Sequence, residues 1–227
     1  MGAFNLLSNS RFGGGEKLLK YKQDRMIDAA EGHVSKDEYL AGKGGVCCVM
    51  TMRWLAERLG TATAAGRIGF GKGEADGDLG RDINDIGIAQ HSIKMYKVLK
   101  NIQAMSGKSE SLKTLAKSYG LNLDTTQADK FESLSVVLSD YAGQVESFSD
   151  GYYIGFSVHD SKGTPVGTHA IGVMGKAGSC FFFDPNIGEY KINSIPTFIK
   201  DYVNCYRESP LHWHLDKAQA FGCLVQA

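Results

Sequence analysis

The spacing of apolar residues changes along the chain, from helical to strand-like. Apolar positions three or four apart predict helices over residues 16–30, 47–60, 85–104, 109–119 and 131–141. After Gly151, aromatic and β-branched residues alternate with small or polar ones, which predicts strands over 152–159, 168–174, 180–183 and 221–225. A short helix is predicted over 195–202. Helices followed by strands are typical of an α+β domain with an antiparallel sheet.

Glycine-rich stretches separate some of these segments. Residues 1–15 end in Gly13-Gly14-Gly15 and are predicted to form a flexible tail or linker, and residues 66–80 are predicted to form a loop. No internal repeat and no second domain is evident in residues 16–227. The sequence therefore predicts a single domain over 16–227, large enough to be a catalytic domain, after a short tail.

The composition excludes several classes of function. Hydrophobic residues make up 43% and charged residues 22%, as in globular proteins, and the formal net charge is zero. A basic excess, on which nucleic-acid binding relies, is therefore missing. No apolar run approaches the ~20 residues that cross a bilayer. We expect a monomer with no nucleic-acid partner and no integral membrane segment, and the first residues lack the pattern of a secretory signal.

The cysteines and histidines give only weak metal-site signals. The five cysteines, at positions 47, 48, 180, 205 and 223, have the spacing of neither a disulfide framework nor a zinc ribbon. His212 and His214 with Cys205 are weak candidate ligands, and residues 66–73 depart from a P-loop at Gly73. We therefore expect no metal and no cofactor.

Cys47 follows a glycine-rich stretch and opens the most apolar predicted helix. A thiol at a helix N-terminus faces the positive end of the helix dipole and unpaired N–H groups, which stabilise a thiolate. The same N–H groups can bind an oxyanion. Cys48 lies next to it, and one helical step of about 100° is expected to turn Cys48 away, so that only one of the two can serve. The alternative is that both cysteines pack in the core.

A predicted hairpin brings a histidine and an aspartate together. If the strand ending at Met174 pairs with the strand beginning at Cys180 so that Gly175 lies opposite Gly178, His169 lies directly opposite Asp184. The two Cβ atoms would then be about 4.5–5.5 Å apart, within reach of an imidazole–carboxylate hydrogen bond. A slip of one residue would instead put the pair on opposite faces.

Three short blocks, taken together, resemble a known family. The first block is Gly45-Val46-Cys47 before an apolar helix containing Trp54, the second is Gly167-Thr168-His169-Ala170, and the third is Phe183-Asp184-Pro185-Asn186. Together they resemble the YopT/AvrPphB family of bacterial cysteine-protease effectors. The resemblance extends over roughly residues 40–190. It implies a papain-like fold, with helices packed on an antiparallel sheet and the nucleophile at the start of a central helix.

The resemblance also implies roles. It selects Cys47 as nucleophile, His169 as base and Asp184 as the residue that orients the base. It implies secretion by a bacterium into a host cell, where the protein would act in the host cytoplasm as a thiol protease on a specific host protein. The sequence departs from the family pattern in one respect. Related proteases often keep an Asn or Gln shortly before the nucleophile, whose amide lines the oxyanion hole, but residues 39–46 contain neither. Lys43 is a conceivable substitute for this amide.

Other functions remain compatible with these residues. The same triad supports a glutamine deamidase, a transglutaminase or an acyltransferase, because the groove and not the triad selects the substrate. A non-catalytic interaction module on a degenerate hydrolase scaffold is a further alternative.

Overall fold

The computed structural model describes residues 11–21, 23–43, 46–60, 83–124, 132–145, 151–176, 178–208 and 212–225. The helices are α1 (Gln23–Ala29), α2 (Lys36–Lys43), α3 (Cys47–Leu59), α4 (Ile83–Ser106), α5 (Lys108–Ser118), α6 (Leu134–Val145) and α7 (Ile195–Glu208). The strands are β1 (Gly15–Lys20), β2 (Leu121–Asp124), β3 (Gly151–His159), β4 (Pro165–Lys176), β5 (Ser179–Asp184), β6 (Gly188–Ile192) and β7 (His214–Val225).

Within the described residues, the strands form one seven-stranded sheet in the order β1-β6-β5-β4-β3-β7-β2. Every neighbouring pair is antiparallel. The structure thus has the mixed α+β architecture that the apolar pattern predicts. In the part of the chain that the structure describes, no helix is both long and apolar enough to cross a membrane.

The two faces of the sheet pack against different helices. On β4, Ala170 and Met174 belong to a core shared with α3, α4 and α5, whereas the alternating Ile171 and Val173 belong to a core shared with α6 and α7. Because side chains alternate across a strand, the central strands are buried on both faces. The sheet therefore separates α3, which carries the candidate nucleophile, from α7.

Helix α3 approaches the sheet closely at one glycine. A Cβ atom on Gly172 would lie 2.7 Å from the Trp54 ring, so the missing side chain makes room for the indole. The indole also stacks on Phe183, with ring centroids 5.4 Å apart. Gly60 ends the helix with a φ of 82°, the left-handed conformation that glycine adopts without strain. These contacts fix α3 against β4 and β5, and with it the position of Cys47.

The N-terminal part of the fold differs from the sequence prediction. Residues 16–20, predicted as part of a helix, form β1 at the edge of the sheet, and α1 begins only at Gln23. The prediction was wrong because Leu18, Leu19 and Tyr21 suit a helix as well as a strand, and pairing with β6 decides between them. Strands β2 and β6 and helix α2 were not predicted.

Part of the predicted tail 1–15 packs against the domain. Phe12 is buried, and its ring meets Phe198 of α7 edge to face at 5.4 Å. The backbone N–H of Gly13 donates to Asp201 Oδ2 at 2.7 Å. Residues 1–10 and the predicted loop 66–80 lie outside the described residues.

Candidate active site

Cys47 is the first residue of α3, and its side chain is buried. No side chain caps this helix: Val46 at the N-cap makes no side-chain hydrogen bond. By helix geometry the N–H groups of Cys47, Cys48 and Val49 have no carbonyl acceptor within the helix, and those of Cys48 and Val49 face the Cys48 sulfur. The first turn of α3 therefore presents backbone donors where a negative charge on sulfur or on a substrate oxygen is stabilised.

Cys48 faces the same cavity as Cys47, contrary to the expectation that one helical step turns it away. Burial and the charge of Cys47 raise the pKa of Cys48 well above its ordinary value. Cys48 is thus a neutral thiol at neutral pH and a poor nucleophile beside Cys47.

His169 and Asp184 form a buried hydrogen bond. Nε2 of His169 lies 2.8 Å from Oδ1 of Asp184, and the side chains are 6% and 0% exposed. The bond joins neighbouring strands, His169 on β4 and Asp184 at the end of β5. The structure therefore brings together the two residues that the sequence predicted to pair.

The register of this hairpin differs from the predicted one by two residues. Gly175 lies opposite Cys180, not Gly178, and Gly178 lies in the turn with a φ of 72°. The prediction was wrong because it did not place this glycine at the positive-φ position that a tight hairpin turn needs. A shift of two residues keeps the same face, so the His169 ring still reaches Asp184, diagonally and just beyond the end of the β4–β5 ladder.

Four hydrogen-bond donors surround the Asp184 carboxylate. Oδ1 accepts from His169 and, at 2.8 Å, from the backbone N–H of Asn186. Oδ2 accepts from the hydroxyls of Tyr202 at 2.8 Å and Tyr206 at 2.7 Å. Burial would raise the pKa of Asp184, but the charge of His169 and these hydrogen bonds together lower it. Asp184 is therefore held ionised and in one orientation.

Two further side chains extend this network. The Asn186 amide donates to the Tyr206 hydroxyl at 3.1 Å and accepts from Gln23 Nε2 at 2.6 Å. Its Nδ2 also lies 3.4 Å from His169 Nε2. The network thus runs from α1 to α7 behind the histidine. Sequence reasoning missed its tyrosines, although Tyr202 and Tyr206, four residues apart, share one face of the helix.

The charges around His169 favour its protonated form. Burial disfavours a charged imidazole, but the negative charges of Asp184 and Cys47 outweigh burial and raise the pKa of His169 to about 10. With Nε2 bonded to Asp184, Nδ1 is the ring nitrogen left to serve Cys47. A protonated imidazole beside a cysteine is the partner that stabilises a thiolate, the form in which a cysteine is a strong nucleophile.

A cavity of about 210 Å³ opens over these residues. Cys47, Cys48, His169 and Ala170 line it, together with side chains of α4, α5 and β3. Lys43, the conceivable oxyanion-hole substitute, has a side chain outside the described part of the chain. The donors that the structure does describe next to Cys47 are those of the first turn of α3.

The weaker sequence signals gain no support. Among the described residues, no group of three or more His, Cys, Asp or Glu side chains lies together in a way that could hold a metal ion. His212, His214 and Cys205 are among these residues. The near P-loop at 66–73 falls outside the described residues.

Comparison with solved structures identifies the fold. The chain is similar to the crystal structure of the Pseudomonas avirulence protein AvrPphB, with a TM-score of 0.53 and 18% sequence identity, over 82% of this chain and 94% of that one. This chain has a papain-like fold. The finding confirms the predicted fold class and supports, at the level of the fold, the resemblance drawn from the three sequence blocks.

A second solved structure is more distant. It is PatoxP, a cysteine protease-like domain of the Photorhabdus asymbiotica toxin PaTox, with a TM-score of 0.35 and 12% identity, over 86% of this chain and 57% of that one. No protein-family model matches the sequence, and a search of curated proteins finds no match. The function must therefore be argued from the site itself.

Proposed function

We propose that this chain is a cysteine protease that a bacterium delivers into a host cell, where it cleaves a specific host protein. One observation carries the proposal: Cys47, at the start of α3, shares a cavity with His169. Nε2 of the same histidine is hydrogen-bonded to the buried Asp184. A nucleophile, a base and a residue that orients the base are the parts that covalent acyl transfer requires. The likeness to AvrPphB, a Pseudomonas avirulence protein, is the reason to expect delivery into a host.

The proposed reaction uses these three side chains in turn. The Cys47 thiolate attacks the carbonyl carbon of the scissile bond, and negative charge develops on the carbonyl oxygen near the N–H groups of α3. The protonated Nδ1 of His169 then gives its proton to the leaving amine, and the C–N bond breaks to leave a thioester on Cys47. Water attacks the thioester as neutral His169 takes its proton, which releases the acid product and restores Cys47. Asp184 keeps the imidazole in place throughout.

The test compares the wild type with Cys47→Ala in a host-cell lysate, with new protein N-termini as the measurement. We expect the wild type to produce a small set of new N-termini that Cys47→Ala and His169→Ala do not produce. Cys48→Ala is the matched control, because it removes the neighbouring thiol but keeps the proposed nucleophile, and we expect it to retain cleavage.

Other outcomes decide between the proposed activity and its alternatives. A product that gains one dalton without chain cleavage, and only with wild type, would show a glutamine deamidase. Cross-linked or acylated products would show a transferase. A Cys47 thiol that reacts with a thiol probe no faster than the buried Cys223 would contradict any enzymatic function of this site.

A further inference from the structure

The cavity over Cys47 lies between a sheet wall and a helical wall. Residues of β3 and β4 form the sheet wall, and residues of α4 and α5 form the helical wall. A substrate segment that presents its carbonyl to Cys47 must lie between these walls, because both meet at the nucleophile. The side chains of the helical wall would therefore lie beside the residues that flank the scissile bond of a bound substrate.

Apolar side chains line one part of the cavity, its floor. Its apolar lining consists of Tyr96, Leu99, Leu112, Tyr153 and Phe156. Leu99, Leu112, Tyr153 and Phe156 are buried, so they are rigid surfaces and not mobile rim residues. This floor accommodates the backbone and an uncharged side chain of a substrate.

The rim of the helical wall carries two cations. Lys100, near the end of α4, and Lys108, at the start of α5, both line the cavity and are exposed. No carboxylate belongs to the cavity lining within the described residues. Nor does either lysine form an ion pair with another described residue, whereas nearby Lys113 is paired with Glu110 at 2.8 Å.

The charge of Lys100 reaches the catalytic end of the cavity. Burial and the charge of Cys47 raise the pKa of Cys48, and Lys100 is among the groups that oppose this rise. An exposed lysine keeps its ammonium group in water and lays its methylene stem along the apolar wall. Lys100 and Lys108 therefore create a positive potential at the mouth of a cleft in a chain with no net charge.

We infer that the cleft selects substrate segments that carry an acidic side chain next to the scissile bond, and that Lys100 and Lys108 are the residues that recognise it. The inference rests on the proposed function, because it assigns the specificity of the same site. A carboxylate near the two free ammonium groups is attracted to the cleft, whereas a substrate lysine in the same place is repelled.

The experiment measures how fast Cys47 is labelled by paired electrophilic peptides. Each pair consists of peptidyl vinyl sulfones that differ in one residue, Glu or Lys, and the charged residue is moved through the positions nearest the electrophile. For at least one position we expect the Glu peptide to label wild type about 1.5 to 5 times faster than the Lys peptide, the range of an exposed ion pair. The ratio should fall as salt is added.

Charge reversal of the lysines provides the decisive comparison. Lys100→Glu, Lys108→Glu and the double variant should lower the Glu-to-Lys ratio, and the double variant should invert it. Reversal of a nearby charge also alters the intrinsic reactivity of Cys47. Because both peptides react with the same Cys47, this change cancels in the Glu-to-Lys labelling ratio. Lys200→Glu on α7, an exposed lysine outside the cavity lining, changes the net charge as much as either single reversal and should leave the ratio unchanged.

The outcomes separate the inference from the proposed function. Labelling of Cys47 at equal rates by both peptides at every position, or a ratio that survives reversal of both lysines, overturns the inference and leaves the protease proposal standing. No labelling of Cys47 by any peptide overturns both. An equal loss of preference in Lys200→Glu would mean that the overall charge of the chain, and not the cleft, selects the substrate.

Discussion

Tyr202 and Tyr206 both donate a hydrogen bond to Asp184 Oδ2, but their surroundings differ. Tyr206 also accepts a hydrogen bond from the Asn186 amide at 3.1 Å. Removing the hydroxyl of Tyr202 therefore takes one donor from a buried carboxylate, whereas removing that of Tyr206 also leaves the Asn186 amide without this acceptor. We predict that Tyr206→Phe destabilises the fold more than Tyr202→Phe does.

The size of both effects follows from the contacts. A hydrogen bond to a charged group contributes about 1.5–3 kcal/mol, so Tyr202→Phe should lower the free energy of unfolding by that amount. A buried amide donor left unpaired adds about 1 kcal/mol or more for Tyr206→Phe. For a chain of 227 residues, each kcal/mol corresponds to roughly 2–4 °C in Tm. Urea unfolding at pH 7 measures the difference directly.

A double-mutant cycle tests whether the carboxylate is the cause. Replacing Asp184 with Asn removes the charge, so Tyr202→Phe should cost about 1 kcal/mol or less in the Asp184→Asn background. Tyr141→Phe, whose ring packs on Tyr152 away from the site, should change stability little. The reasoning is refuted if Tyr202→Phe is as costly as Tyr206→Phe, or if either cost is the same with and without the Asp184 charge.

Two further predictions concern pH and packing. Since the pKa of His169 is raised from 6.5 to about 10, its contribution to stability should be complete below about pH 6.5 and be lost as pH rises through about 10. His169→Gln should remove this pH dependence of the unfolding free energy. An unchanged slope of the unfolding free energy at alkaline pH would contradict the assignment to His169. Gly172→Ala should destabilise the fold by about 1–3 kcal/mol, because its Cβ would lie 2.7 Å from the Trp54 ring. Gly167→Ala, with no atom within 4 Å of its added Cβ, is the control, and equal Tm losses in the two variants would argue against close packing at Gly172.

The sequence predicted those parts of the fold that depend on local signals. Helix α3 has an apolar face and a glycine stop, and the observed bounds, Cys47–Leu59, agree closely with the predicted range. Strands β1 and β6 were missed because neither alternates clearly, and their pairing with each other exists only once the sheet has formed. Local pattern cannot supply a partner that is distant in the chain.

The candidate site shows the same division between local and distant signals. His169 and Asp184 lie in one hairpin, so the pattern of two neighbouring strands was enough to pair them, even though the turn was misplaced and the register was two residues off. The Tyr202 and Tyr206 hydroxyls come from a helix that packs on the sheet only in the folded chain. The helix predicted over 195–202 stops before Tyr206, and nothing local distinguishes a core tyrosine from one that binds a carboxylate.

The network behind Asp184 makes α7 part of the candidate catalytic apparatus, although this helix contributes no residue that would touch a substrate. A buried carboxylate is stable only if its oxygens are paired, and two of the four donors to Asp184 come from α7. Weak docking of α7 would therefore leave Asp184 short of donors, raise its pKa and weaken its hold on His169. Because Phe12 also packs on α7, the segment that precedes β1 supports the same site from the far side of the sheet. Catalysis at Cys47 should consequently be sensitive to substitutions in the α6–α7 core that lie far from the cavity, and Phe12→Ala should lower the labelling rate of Cys47 along with Tm.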